Sequence, residues 1–278
     1  MRLSISNIAW DPQDDESVAG LLKQYSVDAI DVAPSKYFPD LANARKEDIL
    51  SVRDWWKAKG VEITGMQSLL FGTTGLNVFG SDRSRGELIK HLSHVCRVGQ
   101  GLGAKFLVFG SPKNRDRSGL SDNEVSSIAI PFFRAIGDIA GEYGTTICLE
   151  PNPVCYGANY MVTNTETAQV VREVDHPFIR MQFDTGAITI SNEEPLLTLD
   201  QCADIIGHVH ASEPNLVPLG DGTTDHVTMS RILHERLPNH VVCIEMLGLK
   251  SEPNPVSIER ALGVAVSCYR ENLSGCAS

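Results

Sequence analysis

The sequence has few aromatic residues, no paired-cysteine motif, no excess of positive charge and no apolar run that approaches membrane-spanning length. Phe, Trp and Tyr make up 6% of the 278 residues, so a large core must be mainly aliphatic. The seven cysteines are odd in number and scattered, without a CxxC pair. That distribution argues against a disulfide framework and favours a reducing compartment.

The charge balance is acidic, with a formal net charge of -11 and a pI near 5.2. Such a protein repels phosphate backbones at long range, so we expect no nucleic-acid partner. Apolar residues make up 42% and charged residues 21% of the chain, which is typical of a folded protein. Because the first ten residues lack a basic stretch followed by an apolar one, we expect a cytoplasmic protein with no membrane partner.

Strand-like and helix-like stretches alternate along the chain. Short apolar runs rich in β-branched residues are typical of buried parallel strands, and amphipathic stretches separate them. The predicted strands cover residues 3–9, 28–34, 61–69, 104–110, 145–151, 179–185, 205–211 and 240–247. The predicted helices lie near residues 15–25, 46–59, 83–102, 123–143, 164–174, 195–204, 226–237 and 256–272.

Eight such repeats without a Pro-, Gly- or Ser-rich linker predict one domain over residues 1–278, a single α/β-class (β/α)8 TIM barrel. The longer connections all follow strands, as expected where loops at the carboxyl ends of barrel strands form the functional face. An open, doubly wound sheet is the alternative. It gives no reason for polar residues from four strands to converge.

Four of the predicted strands end in a residue type that binds metals. These residues are Glu150 in ICLEP, Asp184 in MQFDTG, His210 in HVHASE and Glu245 in VVCIEML. Because they follow consecutive strands, their side chains can converge from one half of a barrel mouth. Each alone could equally cap a helix or pair with an arginine, but three carboxylates and one imidazole together predict a divalent-cation site.

The ligand set also indicates the cation. Oxygen donors with a single imidazole suit Mn²⁺ or Mg²⁺ best and are compatible with Co²⁺, Fe²⁺ or Zn²⁺, whereas structural zinc sites prefer sulfur and nitrogen.

The order Glu–Asp–His–Glu at strand ends, within LEPNP, FDTG, HVHASE and CIEM, resembles the xylose isomerase-like barrel superfamily. The sugar phosphate isomerase/epimerase branch, which includes the ketose 3-epimerases, is the most similar. The resemblance implies one divalent metal held by Glu150, Asp184, His210 and Glu245. It also implies that Glu150 and Glu245 flank the substrate carbon and move its proton through a cis-enediolate, and that the protein forms dimers or tetramers.

Three positions depart from the ketose 3-epimerase pattern. Ala187 replaces a histidine, Tyr156 replaces a glutamate and Leu216 replaces an arginine of that family. Since polar sugar contacts are lost while the metal ligands are kept, we expect an active enzyme whose substrate is not a simple free ketohexose.

The loop GSPKNRDRSG after the fourth strand suggests an anionic substrate. It places Lys113, Arg115 and Arg117 near the barrel mouth, where Lys113 and Arg115 could bind the phosphate or carboxylate of a sugar derivative. A solvated loop, partly neutralised by Asp116, is the equal alternative.

Four further residues are predicted to contact substrate or support the ligands. Gln67 could bind sugar hydroxyls, although strand-end packing is as good an explanation. Asn152 follows Glu150 by two residues and could orient it or form a turn. His208 should point inward like His210, either to substrate or to a neighbouring carboxylate. Glu213 could support His210 or the loop that follows, or lie at the surface.

The leading functional hypothesis is a metal-dependent epimerase or isomerase of a small carbohydrate. A hydrolase, lyase or dehydratase on the same scaffold is the alternative. An endonuclease is disfavoured because the early histidines, His91 and His94, fall in the third predicted helix and not on strands. A non-catalytic sugar-binding protein is disfavoured because clustered carboxylates without a cation repel one another.

Overall fold

The computed structural model describes residues 1–271, in which eight parallel strands close into a barrel in sequence order. Each strand pairs with the next, and the first pairs with the last through residues such as Leu3 and Val242. The predicted (β/α)8 barrel is therefore confirmed. The strands are Arg2–Ser6 (β1), Ala29–Val32 (β2), Glu62–Met66 (β3), Phe106–Phe109 (β4), Thr146–Leu149 (β5), Ile179–Asp184 (β6), Ile206–Ser212 (β7) and Val241–Glu245 (β8).

Helices follow the strands and cover the outside of the barrel. They are Asp15–Gln24 (α1), Pro34–Tyr37 (α2), Lys46–Ala58 (α3), Asp82–Leu102 (α4), Asp122–Glu142 (α5), Asn164–Val174 (α6), Thr185–Ser191 (α7), Pro195–Cys202 (α8), His226–Arg236 (α9) and Asn254–Val266 (α10). The short helices α2 and α7 were not predicted. Residue 272, the predicted end of the last helix, lies outside the described residues.

Local signals in the sequence explain where the helices begin and where the turns before strands form. Ser121 begins α5 with a capping box, since it accepts from the backbone of Glu124 and its own backbone is bonded by the Glu124 side chain. Ser81 caps α4, since its hydroxyl accepts from the backbone of Ser84. Gly60 and Gly144 have φ of 79° and 66° before β3 and β5, a conformation that glycine adopts without strain.

The middle of the barrel interior is unusually polar. TIM barrels normally fill this space with bulky branched side chains. Here Ser4, Asp31, Gln182, His208 and Cys243 lie inside, each at most 2% exposed. The hydrophobic core is mainly aliphatic, as the low aromatic content predicts.

Within residues 1–271, no helix combines the length and apolarity needed to cross a membrane. The six cysteines of this part are unpaired, and Cys276 lies outside it.

Candidate metal centre

The four predicted ligands meet at the carboxyl ends of β5 to β8. Glu150 follows β5 directly, Asp184 and Glu245 are the last residues of β6 and β8, and His210 lies in β7. Because β5 to β8 are adjacent in the barrel, each side chain reaches the same space from its own strand.

The distances within this cluster are short. His210 Nδ1 lies 3.3 Å from Glu150 Oε1, 3.2 Å from Glu245 Oε2 and 3.8 Å from Asp184 Oδ2. One ligand atom from each residue lies within 4.8 Å of the others. His210 is fully buried, whereas the side chains of Glu150 and Glu245 are 14% and 11% exposed. Both glutamates also line a cavity at the barrel mouth, where a substrate could reach them.

The electrostatics of the cluster fit a bound cation. Burial and the charges of Glu245 and Glu150 raise the pKa of Asp184 to about 8. Burial would lower the pKa of His210, but Glu245 and Glu150 raise it well above its ordinary value. Although Nδ1 lies close to two carboxylates, neither ring nitrogen has a hydrogen-bond partner among the described residues. A divalent cation would bind the lone pair of Nδ1 in the neutral His210 ring. Its charge would also offset the repulsion between the carboxylates.

Each glutamate has one oxygen held by a side-chain amide. Asn152 donates to Glu150 Oε2 at 3.0 Å, and Gln67 donates to Glu245 Oε1 at 2.6 Å. The other oxygens, Glu150 Oε1 and Glu245 Oε2, are those near His210. Both amides therefore orient a glutamate, which is the supporting role predicted for Asn152 and an unforeseen one for Gln67.

Asp184 is held by groups that the sequence reasoning missed. Ser212 Oγ lies 2.9 and 3.0 Å from its two carboxylate oxygens, and the backbone of Ala187 donates to Oδ1 at 2.6 Å. Asp184 thereby also caps α7. The alternation of β7 offered a signal for Ser212, since a residue two positions after His210 faces the same side.

A cavity of about 810 Å³ opens onto the cluster. The residues that line it include Glu150, Glu245, Gln67, Lys113 and Tyr156. Among the predicted substrate-binding residues, Lys113 and Gln67 are therefore placed where a ligand could contact them.

Arg115 is buried and is not exposed at the barrel mouth, where the sequence suggested that it could bind an anion. Its side chain is 1% exposed, and it donates to the backbone carbonyl of Glu150 at 2.7 Å. Burial lowers the pKa of its guanidinium to about 10. Arg115 thus supports the end of β5 from behind, and its neighbour Arg117 is paired with Asp122.

His208 and Glu213 are also turned away from the cavity. His208 points inward as predicted, but its Nε2 lies 2.7 Å from Asp31 Oδ2 below the cluster. Glu213 accepts from the backbone of Gly220 and Thr224 and lies 3.1 Å from His226 Nε2. These are the carboxylate-paired and loop-supporting roles that were the alternatives to substrate contact.

The three positions that depart from the ketose 3-epimerase pattern have new roles. The Tyr156 hydroxyl accepts from the backbone of Asn215 at 2.8 Å, which joins the loops after β5 and β7. Leu216 has a φ of 54°, and its backbone carbonyl accepts from the backbone N–H of Leu247. Ala187 contributes its backbone to Asp184. Of these three positions, Tyr156 lines the cavity at the cluster.

The fold is similar to that of several solved proteins, two of which are named as sugar epimerases. D-psicose 3-epimerase from Clostridium cellulolyticum H10, in complex with D-tagatose, matches with a TM-score of 0.80 at 16% identity, over 97% of this chain and 99% of that one. The 3-keto-D-glucoside 4-epimerase from E. coli matches with a TM-score of 0.79 at 18% identity, over 96% and 100%. IOLI protein with a bound zinc atom matches with a TM-score of 0.75 at 16% identity, over 97% and 98%.

Comparison with curated protein sequences finds no match. Residues 20–266 match the family model described as xylose isomerase-like TIM barrel. Since this match spans most of the sequence, the chain belongs to the xylose isomerase-like TIM barrel family.

Proposed function

We propose that the protein is a divalent-metal-dependent epimerase or isomerase of a sugar or sugar derivative. The observation that carries this proposal is the arrangement of Glu150 and Glu245. Each has one oxygen beside His210 and the other fixed by an amide, and both line the same cavity. The similarity in fold to enzymes whose names specify sugar epimerisation supports the same class.

The chemistry requires removal of a proton from a carbon next to a carbonyl, which is only weakly acidic. A divalent cation held by Glu150, Asp184, His210 and Glu245 would supply stabilisation of the negative charge that develops on the substrate oxygens. Glu245 would take the proton as a general base, and Glu150, protonated at the start of the step, would return its own proton from the opposite side, so that the configuration inverts through an enediolate. If the proton returns to the neighbouring carbon, the same residues perform an aldose–ketose isomerisation.

His210 affects the basicity of Glu245. Without a bound cation, burial alone would raise the pKa of Glu245, but the positive charge of His210 and the bond from Gln67 lower it. When His210 binds the cation, the charge of that cation would replace the charge of the imidazolium and keep Glu245 ionised, the state that a general base requires.

The substrate is proposed to be a carbohydrate other than a free ketohexose, with an acidic or phosphorylated derivative favoured by Lys113. This lysine is exposed and lines the cavity with Glu150 and Glu245. Arg115 no longer supports an anionic substrate, because its guanidinium is buried on the Glu150 carbonyl.

Mn²⁺ or Mg²⁺ is the proposed cation on the basis of the oxygen-rich ligand set. Zinc is compatible as well, and zinc is bound in the structurally similar IOLI protein. The cytoplasmic location, the lack of a nucleic-acid partner and the dimeric or tetrameric state stay predictions.

The test is solvent exchange. Metal-loaded protein is incubated in D2O with ketoses, keto-glycosides and their acidic and phosphorylated derivatives, and the carbon-bound positions are followed by NMR. Deuterium entering one carbon without bond cleavage is expected, and Glu245→Gln should abolish it. Glu259→Gln, an exposed glutamate on α10, is the matched control and should exchange as the wild type does.

Two results would contradict the proposal. Cleavage products without exchange would favour the hydrolase or lyase alternative. Undiminished exchange in Glu245→Gln would remove that residue from the proton transfer.

A further inference from the structure

A second group of metal-binding side chains lies inside the barrel. Asp31 on β2, His208 on β7 and Cys243 on β8 come together beneath the first cluster, and His210 belongs to both groups. One ligand atom from each of the four residues lies within 4.8 Å of the others. Since β2 is not adjacent to β7 or β8, the contact is made across the interior and not along the sheet.

The residues of this second group are buried, and several of their polar atoms lack hydrogen bonds. All four side chains are at most 2% exposed. Among the residues that the structure describes, Asp31 Oδ2, His208 Nε2 and both nitrogens of His210 have no hydrogen-bond partner. Asp31 Oδ2 and His208 Nε2 are only 2.7 Å apart, yet they are not oriented as a hydrogen bond. Buried polar atoms without partners are costly, and a bound ion is one of the few ways to satisfy them.

The space around Asp31 is fitted to that carboxylate. Gly65 on β3 lies so close that a Cβ there would fall 2.3 Å from Asp31 Oδ2. Thr64 donates to the other oxygen, Oδ1, at 3.0 Å. One oxygen is thus held by a hydroxyl, and the other, Oδ2, faces His208 Nε2 at 2.7 Å.

We propose that Asp31, His208 and Cys243 bind a second divalent cation, with zinc as the preferred ion. A thiolate, an imidazole and a carboxylate form a softer ligand set than that of the first cluster, and zinc favours sulfur and nitrogen ligands. His210 presents Nδ1 to the first cluster. A neutral imidazole that binds a cation through Nδ1 keeps its proton on Nε2, so the second cation has three protein ligands.

The charges also balance at this second site. A cation deprotonates a coordinating thiol. One thiolate, one carboxylate and one neutral imidazole then give a total ligand charge that a divalent ion cancels. Buried charge is tolerated when it is paired in this way. The inference does not depend on the proposed function, because the residues that line the cavity at the first cluster do not include Asp31, His208 or Cys243.

Cobalt spectroscopy distinguishes the two sites, because the first contains no sulfur. Protein produced in zinc-depleted medium with added Co²⁺ should bind two cations per chain and show a thiolate-to-cobalt charge-transfer band in the near ultraviolet. Cys243→Ala should lose the band and one cation. Cys148→Ala is the matched control, since Cys148 is equally buried on β5 but belongs to neither group, and it should keep both.

A double variant, Glu150→Gln with Asp184→Asn, should lose the first cation and keep the band. X-ray absorption at the zinc edge of the wild-type protein needs no variant and should show a sulfur neighbour at about 2.3 Å. One cation per chain with no sulfur neighbour would overturn the proposal and leave Asp31 and His208 as a buried ion pair. A band that survives Cys243→Ala would overturn it as well.

Discussion

Gln67 and Glu245 are bonded across the barrel mouth, from the end of β3 to the end of β8, with the amide Nε2 2.6 Å from Oε1. Both residues are buried, and both line the cavity above the metal cluster. The bond fixes the carboxylate so that its other oxygen, Oε2, faces His210. Gln67 is therefore a positioning residue for the proposed base.

Replacing Gln67 with Ala should lower kcat about 10- to 100-fold, the usual effect of removing a group that orients a metal ligand. KM should change little, because the lost bond is to Glu245 and not to substrate. Steady-state kinetics measures kcat and KM separately, with the substrate that the deuterium-exchange experiment identifies. A rise in KM with unchanged kcat would instead restore the sugar-binding role predicted from the sequence.

Ser212 should control cation affinity through Asp184. Ser212→Ala removes the hydroxyl that lies 2.9 and 3.0 Å from the Asp184 oxygens. We expect affinity for the first cation to fall about 10- to 100-fold, as measured by calorimetry on metal-free protein. Ser230→Ala is the control, because Ser230 is also buried but donates to the Cys268 carbonyl on the outer side of the barrel. Equal effects in both variants would show that the loss is general.

Metal binding should strengthen as pH rises. The pKa of Asp184 is raised to about 8 and that of His210 is also raised, so protons occupy both groups at low pH. A cation must displace those protons, and its affinity therefore increases through the range up to about pH 8. Calorimetry in buffers of different ionisation enthalpy should show proton release on binding. Affinity that is constant from pH 6 to about pH 8 would contradict this coupling.

The barrel could be predicted from the sequence because each strand and helix carries a local signal. The apolar runs located all eight strands, and Ser81, Ser121 and Asp225 cap helices where the sequence placed them. Seven of the eight strand ends were set too far along the chain, as at residues 3–9, where β1 ends at Ser6. The Ser6 hydroxyl accepts from the Ile8 backbone and begins a turn, while the apolar pattern continues into it.

The supporting contacts could not be predicted because they join residues distant in sequence. His208 was expected to face inward, but its partner Asp31 comes from β2. Arg115 follows a strand end and looked like an anion-binding residue, yet the Glu150 carbonyl lies within its reach only in the closed barrel. The four metal-type ligands were predictable since strand ends meet at one face of any such barrel.

Arg115 and Lys113, two residues apart, should behave differently when replaced. Arg115→Ala removes a buried side chain and leaves the Glu150 carbonyl without its donor, so the free energy of unfolding should fall by about 2–4 kcal/mol. Lys113→Ala removes an exposed side chain and should cost less than about 0.5 kcal/mol. Urea unfolding measures both.

The substrate affinities complete this comparison. Lys113→Ala should weaken an acidic or phosphorylated substrate more than a neutral one. If Arg115→Ala is stable and selectively loses the acidic substrate, Arg115 binds the anion after all.

Glu213 should stabilise the loop after β7 in a pH-dependent manner. Burial would raise its pKa, but His226 and the backbone of Thr224 and Gly220 lower it to about 2. Because the folded-state pKa lies below the ordinary value of 4.5, the stabilisation is present above about pH 4.5 and is lost as pH falls towards 2.

Glu213→Gln should therefore lower the free energy of unfolding by about 2 kcal/mol near pH 7, where it removes charge-assisted bonds to two backbone N–H groups. The difference from the wild type should shrink as pH falls below about 4, because the wild-type carboxylate is then increasingly protonated. Urea unfolding of both proteins at a series of pH values gives this difference directly, with Glu259→Gln as the exposed control. A difference that is the same at all pH values would show that the shape of the side chain, and not its charge, supports the loop.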